Sequence, residues 1–357
     1  MQSSKSATAM KFSELVEKLG ATETSLKTHP EHNPELTGIT PIESARSQTL
    51  SYIEGSKFGS FLSTTAASAL ILPIDQSLQA QATDRHIAWI SSREPRLLFA
   101  QAIALFYQPF RPAAGIHPTA VIDASVQLGE AVSIGANVVI QPGVAIGNQV
   151  VIHPNVVIYP GASIGDRTVL HANCVIHERA QLGAGCVIHS GAAIGSEGFG
   201  FVPTAEGWLK MEQSGYTVLE DGVEVGCNST IDRPAVGETR VKRNTKIDNL
   251  VQIGHGCTVG EGCAMAAQGG LAGGVQVGNR VILGGQVGVA NQVTIGDGVQ
   301  AAAQCGIHND IEPGSVVIGT PAIPYRLFLK VAALWNRLPE MNQTLKRLQK
   351  QMEEGRS

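Results

Sequence analysis

Hydrophobic positions recur every six residues over more than half of the chain. From Ile116 to Ile194 every sixth residue is Ile or Leu, fourteen in succession. The ladder resumes at Leu219, Val225 and Ile231. It then runs from Val241 to Ile307 in twelve positions, of which Met265 and Ala301 alone are not Ile, Leu or Val. Chance does not hold phase over 29 rungs. Four residues beyond each rung stands a second register of small residues or Val, as at Ala120, Val126, Val132 and Val138. Gly, Asn, Asp and Pro fill the corners between, where tight turns are needed. A period of six predicts a parallel β-helix with three hexads to a coil. At the interstrand spacing of about 4.8 Å, the rungs give nearly ten coils and a prism of about 46 Å.

The flanking segments lack this period. Residues 1–9 are polar and expected to be loose. From Met10, the spacing of Phe12, Leu15, Val16 and Leu19 predicts a helix that stops at Gly20. The apolar runs Ala69–Ile74 and Ile87–Ile90, with a helical stretch at Pro95–Tyr107, predict a small α/β domain over 10–112. The β-helix is expected over 113–320, with excursions at 195–218 and 234–239. Residues 321–357 are expected to be helical across Tyr325–Glu354. The predicted class is therefore mainly β, with an α/β domain before the prism and helices after it.

Composition narrows the function. At 43% apolar and 16% charged residues the chain can bury a core, which excludes a disordered tail protein. A net charge of −4 argues against a general nucleic-acid binder. The longest aliphatic stretches, such as 69–72, are far short of the ~20 residues that span a bilayer. The polar N-terminus has no signal-peptide core, so a cytoplasmic protein is expected. The six Cys form no CxxC pair. Cys174, Cys186, Cys257, Cys263 and Cys305 fall in the small inward register and are expected to act as small hydrophobes. Cys227 does not.

Chemistry must come from residues that break the repeat. His117, His153, His171, His177, His189 and His308 directly follow a rung, whereas His255 lies two beyond its rung between Gly254 and Gly256. One coil later stands Gly273. Small neighbours are expected to leave open space beside this imidazole, which suits a general base. A surface histidine at a corner is the plainer reading. His153, His171 and His189 are eighteen apart and should stack, a column that does not converge on one tetrahedral metal; no metal is expected. The excursion at 195–218 carries two Phe, a Trp and a Tyr. A loop ejected from a solenoid is a usual binding wall.

Three runs resemble one family: Gly198-Phe-Gly-Phe201 after Ser196-Glu197, the tetrapeptide Thr230-Ile-Asp-Arg233, and Asp248-Asn249-Leu-Val-Gln252-Ile-Gly-His255. Within the left-handed β-helix acyltransferases, they look like the UDP-3-O-(3-hydroxyacyl)glucosamine N-acyltransferases of lipid A, hence lipopolysaccharide, biosynthesis. The resemblance covers nearly the whole chain. It implies a left-handed coil, a homotrimer with sites between subunits and an N-terminal uridine-binding domain. The implied reaction passes a (3R)-3-hydroxyacyl group from acyl carrier protein to the 2-amino group of an O3-acylated UDP-glucosamine. His255 matches the family's general base, with no covalent enzyme intermediate. No resident cofactor is implied, because phosphopantetheine arrives on the carrier protein. Asp248, Asn249 and Gln252 are expected to line the pocket of His255, with Phe199 beside it, and Gly284 and Gly285 to leave room for an acyl chain.

The chain also departs from the family. Asn291 and Gln292 stand where a second His is often found. Around the expected uracil site, Tyr52, Lys57 and Phe58 match, but Gly55 replaces an amide. From 324 to 357 there are seven Lys/Arg and three Glu, a net charge of 7 − 3 = +4. Arg326, Lys330, Lys346 and Lys350 are expected to meet an acidic carrier protein; an ordinary solvated helix face is the alternative. Competing functions are O-acylation of UDP-N-acetylglucosamine or coenzyme A-dependent acetyl transfer on the same fold. A non-enzymatic trimer and a metal-dependent β-helix hydratase are the others.

Overall fold

The structure, a computed structural model, describes residues 9–319 and 325–354, without the side chains of 56–59, 325–328 and 353–354. The expected loose N-terminus therefore lies outside the described residues, Ala9 apart. The chain divides into two compact units, Met1–Arg111 and Pro112–Ser357.

The first unit holds a four-stranded parallel sheet of Gly38–Ile39, Thr49–Tyr52, Ala69–Pro73 and Ala88–Ser92, neighbours in that order. Its strands are covered on both faces, which is why their apolar runs are unbroken rather than alternating. Leu50, Ala69, Ile71 and Ile90 pack with Phe12, Leu15 and Ala102. Leu70, Leu72 and Trp89 turn the other way, onto Leu62, Leu78 and Ala82. Helices span Phe12–Lys18, Gln76–Asp84 and Pro95–Phe106. The Asp75 carboxylate caps the second by accepting from the Ser77 and Leu78 amides. The first helix begins later than its pattern suggests, because Met10–Lys11 pairs as a strand with Glu35–Leu36.

The second unit is a left-handed β-helix. Its three walls are parallel sheets of 11, 10 and 9 two- to five-residue strands. Wall one carries Ile152, Leu170, Ile188, Val225 and Ile247; wall two, Ile158, Ile176, Ile194, Ile231 and Ile253; wall three, Ile164, Leu182, Leu219, Val241 and Val259. Each rung from Ile134 to Ile307 is buried in one continuous core. The small register lies inside too, from Val132 onward. On wall three the residue after most rungs is Gly, the exceptions being Glu220 and Lys242, because a Cβ at Gly129, Gly147 or Gly165 would stand 2.4–2.6 Å from the next coil. Gly284 is constrained in the same way. A Cβ there would meet Ala303 N at 2.6 Å, so coil stacking requires a glycine at this position, which also borders the groove on wall one.

The C-terminal segment forms two helices, Tyr325–Trp335 and Leu338–Glu354, instead of one. Pro339 has no N–H to donate, so the chain turns at Asn336–Arg337. Among the described residues, no helix is long and apolar enough to cross a membrane.

The five in-register cysteines are buried and Cys227 is half-buried. Burial pushes the thiol of Cys174 up to about 12, and those of Cys186 and Cys257 up to about 11. In the native protein one thiol, Cys227, is expected to react quickly with a maleimide, as counted by intact mass. Rapid labelling of Cys257 would show that the inward register is open.

Candidate active site

Wall two leaves the six-residue phase at Gly195, a bulge with φ +86°. The extra residue lengthens Ala193–Glu197 and aligns it with Thr230–Arg233, so that Ser196 pairs with Asp232 and Glu197 with Arg233. The chain then leaves the wall as a hairpin of Phe201–Thr204 and Gly207–Lys210. Arg233 closes its base. Its buried guanidinium donates to Gly195 O at 2.9 Å, where the excursion departs, and to Gln213 O at 2.8 Å, where it returns. It also pairs with Glu178 at 2.9 Å and Glu197 at 3.5 Å. Lys210 reaches back from the hairpin to Glu197.

His255 stands on the next coil of this wall, half-buried. A Cβ on Gly273 would lie 2.6 Å from both Cε1 and Nε2 of its ring. The space that a side chain at Gly273 would take is thus occupied by the imidazole itself. A Cβ on Gly198 would come 2.5 Å from His255 Cβ. The excursion therefore packs directly against the histidine. The open space lies to either side. One cavity of about 620 Å³ is lined by Phe199, Phe201, Lys210, Asp232, Gln252 and Asn291. The other, about 300 Å³, is lined by Pro234, Val236, Gly274 and Gln292. His255 and Gly273 border both. The two interruptions of the repeat thus supply one groove each.

Asp232 is buried behind this surface. Its Oδ1 accepts from Ser196 Oγ at 2.7 Å and its Oδ2 from Gln252 Nε2 at 2.8 Å. Burial holds its carboxyl above the usual carboxylate range, against the Ser196 hydrogen bond, the charge of His255 and the Gln252 amide. Asp232 and Ser196 lie in the runs that carry the family resemblance, yet the repeat pattern gives neither a site role. The available signal is Asp232 directly after its rung, a polar group where wall two later carries Gly254 and Ala272.

The expected site residues do not all converge. Gln252, Asn291 and Phe199 share the larger cavity with His255. Asp248 and Asn249 do not. They follow Ile247 on wall one, a corner earlier, and line a separate groove of about 630 Å³ with His189, Glu224 and Lys246. Their side chains also serve the coil: Asp248 accepts from the Asn249 and Ala267 amides, and Asn249 from the Cys227 amide. His153, His171 and His189 stack at 5.0 and 4.9 Å, planes within 6°. Among the described residues, no three His, Cys, Asp or Glu side chains are placed to share a metal ion. In the first unit one face of Tyr52 is taken by Phe99, ring centroids 4.4 Å apart. The side chains of Lys57, Phe58 and Arg326 lie outside the described residues. Lys330, Lys346 and Lys350 are exposed.

Comparison with known proteins finds matches to both units of the chain. The profile of the UDP-3-O-(3-hydroxymyristoyl) glucosamine N-acyltransferase family matches residues 33–105. Hexapeptide-transferase profiles match 125–160, 143–178 and 161–196. A UDP-3-O-acylglucosamine N-acyltransferase of Rippkaea orientalis is 70% identical over 97% of this chain and 100% of its own. One from Nostoc punctiforme is 71% identical over 96% and 98%. Among solved structures, an Arabidopsis UDP-N-acetylglucosamine acyltransferase superposes with a TM-score of 0.51 at 20% identity, over 57% of this chain and 71% of that one, and shares the fold. With near-complete coverage at such identity, the chain belongs to the UDP-3-O-acylglucosamine N-acyltransferase family of hexapeptide-repeat acyltransferases.

Proposed function

We propose that the chain transfers a (3R)-3-hydroxyacyl group from the phosphopantetheine thioester of acyl carrier protein to the 2-amino group of a UDP-3-O-acylglucosamine. The reaction would run in the cytoplasm and contribute to lipid A synthesis. The observation that carries this reading is the imidazole of His255 between two grooves, seated on Gly273. One groove can take the amine and the other the thioester. The sugar nitrogen attacks the thioester carbonyl carbon, and His255 removes the proton that this nitrogen sheds. The tetrahedral intermediate collapses, the C–S bond breaks, and the proton passes to the departing thiolate. General-base assistance of this kind is worth typically about 10²–10⁴-fold.

Two neighbours support His255. The Asp232 carboxylate, once ionised, attracts the imidazolium that forms, and its fixed orientation comes from Ser196 and Gln252. The amide of Gly273, next to the ring, has no acceptor among the described residues and can donate to the oxyanion. The apolar rim of Phe199 and Phe201 suits an acyl chain. We place uridine recognition in the N-terminal unit at Tyr52, Lys57 and Phe58. The working unit is a homotrimer, in which the wall-one groove with Asp248 and Asn249 serves the site of a neighbouring copy. Basic residues Arg326, Lys330, Lys346 and Lys350 attract the acidic carrier protein.

The function is tested by incubating the protein with a 3-hydroxyacyl carrier-protein thioester and an O3-acylated UDP-glucosamine. Fragmentation mass spectrometry should place the new acyl group on the sugar nitrogen. Transfer from coenzyme A alone, or to a hydroxyl of UDP-N-acetylglucosamine, would select the competing reading.

Gly273→Ala should cut kcat/KM by about 10²-fold or more, because its Cβ displaces the ring. Its Tm should hardly change, since an imidazole at a surface can swing away. Loss of fold with retained specific activity would contradict this. Asp232→Asn has a signed pH dependence. A carboxyl with a raised native pKa contributes stability at low pH and loses it as pH rises through that pKa. The stability of the Asn variant relative to the parent should therefore be greater at about pH 8 than at about pH 4 in denaturant titrations. An equal or reversed difference would show that Asp232 is not held above its ordinary range. Lys346→Glu with Lys350→Glu should raise the KM for the carrier protein at low salt, the effect shrinking as salt screens it. An unchanged KM would leave that helix an ordinary solvated face.

A further inference from the structure

We propose that Gln213, on the returning stem of the excursion, is a positioning residue for His255: its side-chain carbonyl accepts the Nδ1–H of the imidazole and so keeps the Nε2 lone pair free to act as the base. The inference deepens the reading of His255 given above and rests on it. Gln213 is buried, 4% exposed. Its Nε2 donates to Met211 O at 2.7 Å, and its main-chain oxygen accepts from Arg233 Nε at 2.8 Å. Side chain and backbone are thus both fixed. Its Oε1, however, has no donor. A buried acceptor left in that state costs stability. Among the described residues two other side-chain atoms share it, His32 Nδ1 and Thr217 Oγ1. Turning the amide over gives no relief, because Oε1 would then face the Met211 carbonyl, acceptor against acceptor.

The orphan oxygen lies beside the candidate base. A Cβ on Gly198 would stand 2.8 Å from Gln213 Oε1 and 2.5 Å from His255 Cβ. A Cβ on Gly200 would collide with Gln213 Nε2. The two glycines of Gly198-Phe-Gly-Phe201 therefore make room for one glutamine amide, while the two Phe line the groove. In an imidazole, Nδ1 is bonded to Cγ, so it belongs to the Gly198 end of the ring; Nε2 lies at the far end, next to Gly273. Neither ring nitrogen has a hydrogen-bond partner among the described residues. Rotation of the side chain brings the Nδ1–H onto Oε1. Asp232 is the competing acceptor, but its oxygens already take Ser196 Oγ and Gln252 Nε2. A neutral carbonyl fixes the tautomer without holding the ring protonated, as an adjacent anion would. Once the ring has taken the proton of the attacking amine, the same bond becomes charge-assisted and strengthens. The charged groups that share the groove with His255 are Asp232 on the preceding coil and Glu197 and Lys210 on the excursion, the last two paired with each other. The lining of the smaller groove adds none.

The test uses the full-length chain with Gln213→Met, which is similar in size and has no carbonyl, with Gln213→Glu, which has a charged acceptor, and with Gln213→Met combined with His255→Ala. Single-turnover acyl transfer is followed from about pH 5 to about pH 9, beside KM and Tm. Gln213→Met should lower the rate by about 10- to 100-fold, part of what general-base assistance supplies, with KM and Tm close to the parent's. In the His255→Ala background the same substitution should change the residual rate by less than about 2-fold. Gln213→Glu should move the acidic limb of the pH profile to higher pH, because an anionic partner favours the imidazolium. A parental rate for Gln213→Met overturns the proposal. So does an equal fractional loss with and without His255, which would show that Gln213 acts on the excursion alone. Should Gln213→Met fail to fold, the limb of Gln213→Glu decides, and an unmoved limb overturns the proposal. A parental rate for His255→Ala overturns instead the base assignment on which it rests.

Discussion

The hydrogen-bond ladder between coils is the constraint on which the rest depends. Within a regular coil each residue sits above the one eighteen positions earlier, and the amides and carbonyls along the strands are committed to the coils on either side, as in Asp248 N to Met265 O and Gly254 N to Leu271 O. Such a stack has no slack. An inserted residue cannot be absorbed inside the prism, where rungs such as Ile194, Ile231 and Ile253 fill the core completely. It must be ejected outward. The two insertions in this chain are ejected on either side of one histidine, and each becomes the wall of a groove. Candidate site and scaffold therefore have a single origin: the grooves beside His255 form where the repeat is broken.

This constraint also explains the buried ion network. The hairpin of the 195–218 excursion is exposed along both strands, yet the excursion holds Phe199 and Phe201 in the groove beside His255. Arg233 solves this by binding the carbonyls at both stems, Gly195 and Gln213, from a position two beyond the rung Ile231. A guanidinium offers five donors in a rigid fork, which suits several acceptors at once. Removal of such a group leaves carbonyls unsatisfied at about 1–3 kcal/mol each. The Asp232 carboxylate is kept in the same region by two donors, despite the cost of burying it.

The prism was legible because its signal is global. A six-residue period shows in every coil and survives single exceptions such as Met265 and Ala301. His255 was legible for the opposite reason, as a residue out of register. What periodicity cannot convey is the direction in which a glycine's space is used. Gly273 faces an imidazole and Gly284 faces the next coil's backbone, although both read simply as small residues. Nor does proximity in sequence give proximity in space. Asp248 and Gln252 are four residues apart, but a corner between walls separates them into different grooves. Asp232 and Ser196, 36 residues apart, meet because the bulge at Gly195 brings them into register. The helix break before Pro339 was visible in the residue itself and was overridden by the apolar period, which runs through it.

The account stands or falls on the imidazole at position 255. The most direct measurement is the single-turnover rate of acyl transfer by His255→Ala, with and without free imidazole in solution. The account predicts a rate lower by about 10²–10⁴-fold, unchanged trimer mass and Tm, and partial recovery as imidazole is added. A variant that turns over at the parental rate without imidazole would contradict it.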